Sequence, residues 1–211
     1  TGDSTRTRLD REIFRGALKS RYGNVHEEAM GQDHETYDEL AAAYFEMVRK
    51  VFLRDRYHLP ILFLFKNRKL VWMVGIPAED QQKKYLLMRS LAHEATRRGA
   101  DAALAVGEAW FAAAKDIAPY QRPSEVETRR EALTLTLVTA GDIPAVQYAA
   151  EIMRDGDKVS LGETSVSHGG VAFIFAPFYV AWGRPIPQEW LEWEKWATEA
   201  EAKRKRSQSH F

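Results

Sequence analysis

The chain has no cysteine. That excludes disulfide scaffolds, thiolate zinc sites, iron–sulfur clusters and cysteine nucleophiles, and it agrees with a cytoplasmic location. It also lacks a net charge, because 30 Lys plus Arg stand against 30 Asp plus Glu. No global field draws it to nucleic acid or to an anionic membrane, so any such preference has to come from local patches. No apolar run approaches the roughly 20 residues of a membrane-spanning helix, and no membrane partner is expected. Thr1 to Arg6 carry no apolar stretch of the kind a secretory signal needs. Walker, Gly-x-Gly-x-x-Gly, His-Glu-x-x-His and Gly-x-Ser-x-Gly patterns are missing too. Ser165-Val166-Ser167-His168-Gly169-Gly170 has the composition of an oxyanion loop. Without a nucleophile elbow, its glycines read as flexibility.

What remains is 211 residues, of which 45% are hydrophobic. That is enough for one domain with a core. Residues 6–22 read as a helix with Leu9, Ile13 and Ala17 on one face and Arg8, Arg11, Arg15 and Lys19 on the other. A second, longer helix is expected over about 34–55, capped by Asp33, with a wide apolar stripe that must pack on something. Leu59–Phe65 and Leu70–Ile76 flank Lys66-Asn67-Arg68-Lys69 and read as a hairpin. A helix follows from about Glu79 to Arg98, with Gly99 placed to stop it. Ala102–Phe111, Ala132–Thr139 and Ala145–Met153 read as strands, and Val171–Trp182 as a last one, with Pro177 marking an edge or a bulge. Lys115–Arg129 and the polar, Gly-rich stretch Gly156–Gly170 read as loops. Pro187 opens a final helix carrying Trp190, Trp193 and Trp196 and ending in Lys203–Arg206.

This order predicts an α+β fold: a mixed, mostly antiparallel sheet of about five or six strands with one crossover helix. An N-terminal helical pair and a C-terminal helix accompany it. Residues 1–58 are expected to form a helical segment or arm, and 59–211 the core domain.

The most informative residue is Glu108, the only charge in the apolar run from Ala102 to Ala114. An unpaired buried carboxylate is costly, so Glu108 needs a partner, a ligand or a wet edge. Residues alternate across a strand, which puts Glu108 in phase with Leu104, Val106 and Trp110, and Glu131 in phase with Leu133, Leu135 and Leu137. Antiparallel pairing then brings both acids to one end of the sheet, flanking the 115–129 loop. Two such carboxylates can act as acid and base or hold a hard cation. The competing and favoured account is that Arg129 or Arg130 neutralises Glu131 and pins the loop. No metal-ligand spacing is present, so no cofactor is expected, and a divalent metal enters only if the acids are catalytic.

Glu108-Ala109-Trp110, Pro123-Ser124 and Arg130-Glu131-Ala132-Leu133 together resemble a group of bacterial and phage proteins. These share a Glu-x-Trp strand, a Pro-Ser loop and an Arg-Glu strand start. The resemblance spans roughly residues 100–140 and implies no activity. It does imply that Glu108, Ser124, Arg130 and Glu131 form one local unit, with Arg129 and Trp110 beside it.

Three functions follow from these features. The first is a non-catalytic binding or assembly module, phage- or defence-related, with a protein partner or self-association through its clustered tryptophans. The second is a hydrolase using Glu108 and Glu131 on a phosphate-bearing substrate, by acid/base or metal chemistry. The third is nucleic-acid binding through Arg8, Arg11, Arg15 and Lys19. The absence of catalytic motifs favours the first.

Overall fold

Residues 33–77, 80–112, 114–116, 123–169 and 173–208 are described by the computed structural model. The expected helix over 6–22, its basic stripe of Arg8, Arg11, Arg15 and Lys19, and His26 and His210 lie outside them. The first described helix, α1, spans Tyr37–Asp55. Thr36 rather than Asp33 caps it. Thr36 Oγ1 accepts the Glu39 N–H at 3.1 Å, and the Glu39 carboxylate accepts the Thr36 N–H at 3.3 Å. This reciprocal box satisfies two of the amides that a helix start leaves without partners.

β1 (Ile61–Lys66) and β2 (Lys69–Gly75) form the expected hairpin. Asn67 and Arg68 turn it with successive positive φ of 51° and 64°, the two-residue geometry whose twist matches the strands. α2 (Gln81–Arg98) starts at Asp80, whose side chain accepts the Lys83 N–H, and ends on Gly99 in the left-handed region at φ 64°. β3 (Ala102–Phe111), β4 (Arg130–Thr139), β5 (Val146–Asp155) and β6 (Lys158–His168) follow. They assemble with the first pair into one six-stranded sheet of order β2-β1-β3-β4-β5-β6. Every neighbouring pair is antiparallel. α2 is the one crossover, carrying the chain from the edge strand β2 over β1 to β3.

Two expectations are corrected. Gly156–Gly170 is mostly strand β6, reached by a tight turn at Gly156 (φ 55°). The segment expected to be the last strand instead holds a 3-10 turn, Phe173–Phe175, and a short helix, α3 (Ala176–Ala181). Pro177 sits in that helix's first turn, where its missing N–H has no intrahelical partner to lose. The last helix, α4 (Leu191–Gln208), starts after a 3-10 turn that Pro187 introduces, as expected.

Alternation gives the sheet two faces. On the first, Ile61, Phe63, Phe65, Leu104, Val106, Leu133, Leu135 and Leu137 pack under the apolar stripe of α1. Tyr44 meets Phe63 and Phe65 edge-on, with ring centroids 5.2 Å apart in both pairs, the arrangement their quadrupoles favour. On the second face, Leu62, Leu64, Ala103 and Val138 lie under Met88, Leu91, Ala92 and Ala95 of α2 and Phe175 and Phe178. α4 lies outside α2. Its Trp193 contacts Tyr85 and Phe173, and Trp196 packs on Trp193. Arg89 of α2 ties Glu194 and Glu201 of α4. The clustered tryptophans are therefore half-buried internal packing between two helices, and Trp182 donates its indole N–H to the Ala100 carbonyl at 3.1 Å.

Candidate functional site

Glu108 and Glu131 do share one end of the sheet. Glu108 lies opposite Leu133, and Glu131 lies between Trp110 on β3 and Ile152 on β5. The cation that joins them comes from β5. Arg154 Nε meets Glu131 at 2.7 Å, its Nη2 meets Glu108 at 3.3 Å, and its Nη1 donates to the Arg56 carbonyl at 3.2 Å. The other Glu108 oxygen accepts the His58 backbone N–H at 2.6 Å. One planar guanidinium thus bridges two carboxylates and the C-terminal end of α1, a task its fork of donors suits.

The residues expected beside the acids go elsewhere. Arg130 pairs with Glu151 at 2.9 Å and lies over Phe111. Arg129 lies over the Trp110 ring at 5.1 Å, and Trp110 is exposed. Ser124 is exposed in the short 3-10 turn Pro123–Glu125. Among the described residues, none of these bonds to Glu108 or Glu131, and no three acidic or histidine side chains converge as a metal site would require. His93 is exposed on α2. His168 stands at the end of β6, 3.5 Å from Asp38.

The second face of the sheet holds a groove of about 340 Å³ that sequence reasoning missed, within the size range of small-molecule sites. α2 and α3 cover β1 and the Ala103/Val138 end of β3 and β4, and leave the rest of β4, with β5 and β6, open. The uncovered floor is two cross-strand rows. One runs Ala105, Thr136, Gln147, Ser167, and the other Gly107, Thr134, Ala149, Ser165. Thr134 and Ser165 donate their hydroxyls to the carbonyls of Gly107 and Ala149, at 3.0 and 3.2 Å. Thr136, Gln147 and Ser167 have no side-chain partner among the described residues.

The wall is apolar except at one point. Pro60, Ile76, Met88, Ile174 and Phe175 form it, and Lys84 of α2 interrupts it one turn before Met88. Lys84 is half-buried and has no carboxylate partner among the described residues. Burial holds its pKa below the ordinary lysine value, because desolvation disfavours the charged form. Among the described residues, Glu108 is the only acid in the groove's lining, and its carboxylate is already engaged by Arg154 and His58. The signal that could have found the groove is the phase of the small polar residues. Thr134 and Thr136 alternate on β4 opposite Leu133, Leu135 and Leu137, and Ser165 and Ser167 alternate on β6.

No curated protein and no solved structure matches the chain significantly. A family model described as Bacteriophage lambda protein ea47 matches residues 3–202, nearly the whole sequence, and the protein belongs to that phage family.

Proposed function

We propose that this phage-family protein is a non-catalytic binding module and that the groove over β3, β4, β5 and β6 is its binding face. The observation that carries this is the contrast between its two polar sites. At the sheet end, the donors of Arg154 and His58 already occupy Glu108 and Glu131. In the groove, Lys84, Thr136, Gln147 and Ser167 present polar groups without partners among the described residues. Lys84, Thr136 and Gln147 are half-buried and Ser167 is exposed, so a ligand entering the groove can reach and pair with each.

A fragment screen read by amide shifts tests the proposal. Hits are expected to move Thr134, Thr136, Gln147 and Ser165. Hits confined to Glu108, Glu131 and Arg154 would point to the acids instead. Magnesium and manganese titrations, with hydrolysis of bis(4-nitrophenyl) phosphate followed in parallel, supply the catalytic arm. Saturable metal binding or turnover that Glu108→Gln and Glu131→Gln abolish would overturn the non-catalytic reading.

A further inference from the structure

The groove pairs one cation with an apolar wall and a floor of neutral hydrogen-bonding groups. We propose that it takes a ligand with a flat apolar body ending in an oxyanion, with Lys84 receiving the oxyanion and Thr136, Gln147 and Ser167 donating to it. The inference rests on the groove being the binding face and adds the chemistry of what binds there.

Three observations carry it. First, Lys84 is the cation of the lining, and no described acid pairs with it. A lysine placed there for stability alone is poorly placed, because desolvation works against it. An arriving anion restores the interaction that burial removed, and in a sheltered setting that interaction is stronger than in water. Second, the floor row opposite contains Thr136, Gln147 and Ser167 in register on three adjacent strands. Each carries a proton on a side-chain oxygen or nitrogen that is not committed to the sheet, whereas Thr134 and Ser165 are committed. A tetrahedral or planar oxyanion has enough lone pairs to accept from several of them. Third, Pro60 and Ile174, which are not buried, give the wall an open apolar surface backed by the buried Ile76, Met88 and Phe175. A fully polar ligand would leave that surface without a partner.

Binding of 2-naphthoate, 2-naphthyl phosphate and neutral 2-naphthamide, measured by calorimetry and located by amide shifts, is the test. At least one anionic probe is expected to bind about tenfold or more tightly than the amide, as a charge-assisted hydrogen bond allows. Which anion wins separates a carboxylate ligand from a phosphate one. Lys84→Met should close the gap, and Lys84→Arg should keep most of it. Ser167→Trp, an exposed edge-strand position, should block all three probes. Equal binding of the three, or a gap that survives Lys84→Met, overturns the oxyanion and leaves the groove reading standing. If no probe binds, the oxyanion inference also falls, and the fragment screen decides whether the groove reading falls with it.

Discussion

The two faces of this sheet are made from the same strands, yet they were filled by opposite rules. On the α1 face the rows under the helix are mostly large and apolar: Phe63, Leu104, Leu137 and Val146 form one such row. On the groove face the parallel row is Ala105, Thr136, Gln147 and Ser167. α1 crosses β4, β5 and β6, while α2 and α3 reach no farther than the Val138 end of β4. What differs is therefore which helix reaches which strands, and the side chains agree with that geometry. One face is sealed as core, and the other is core under α2 and α3 and open over the groove.

The sharpest way to break that comparison is to truncate its strongest member. Phe63→Ala removes a ring that is 1% exposed and touches Tyr44 edge-on, and should lower stability by about 3–5 kcal/mol in urea denaturation. A loss under about 1 kcal/mol would mean that the α1 face is not the principal core. Arg154→Ala comes next. It leaves Glu108 and Glu131 adjacent with no shared cation at a partly exposed rim, and should cost about 1–2 kcal/mol. Arg154→Lys should recover less than half of that, since one ammonium cannot span both carboxylates and the Arg56 carbonyl.

A smaller effect of opposite sign is expected in the groove. Burial lowers the Lys84 pKa in the folded protein relative to the unfolded chain, so the unfolded state holds that proton more tightly. Below the folded value the native state carries the whole penalty. The penalty is relieved as pH rises through the folded value toward the unfolded one. Lys84→Met should therefore raise the urea midpoint at neutral pH, and its advantage should shrink as pH climbs into the lysine range. A midpoint that falls at neutral pH would show that Lys84 is structural. Smallest of all, Thr136→Val should stay within about 0.5 kcal/mol of the parent in the same assay. A large loss there would make the groove floor part of the core after all.

Much of the fold was legible because turn chemistry and alternation agree. The Asn67-Arg68 turn, the Gly99 stop and the Leu133/Leu135/Leu137 phase each announce their element. β6 was not legible, for a physical reason. Its pairing slips between Ala150 and Ile152, where β6 has one residue more than β5. Its inward residues are Val159 and Leu161 before the slip and Thr164 and Val166 after it, so the parity flips mid-strand and the alternation disappears. The segment of α3 is apolar all round, with Ala176–Tyr179 buried and Val180 exposed, which erases the helical period. Of the acid cluster, the sequence placed Glu108 and Glu131 together but offered the adjacent Arg130 as their cation. Arg154 lies in phase with Val146, Tyr148, Ala150 and Ile152 on β5. The expected strand stopped at Met153, one residue too early.

Arg154 also bears on how long the protein stays folded. Its three partners, Glu131, Glu108 and the Arg56 carbonyl, lie 23, 46 and 98 residues away in the chain. Contacts that close such long loops form late, after the strands they join have already aligned. The guanidinium is then absent from the rate-limiting assembly and present only in the finished molecule. Stopped-flow measurements on Arg154→Ala should show refolding almost as fast as the parent's and unfolding clearly faster. On that account Arg154 works as a latch: it sets the lifetime of the native state and leaves the speed of reaching it to the strands.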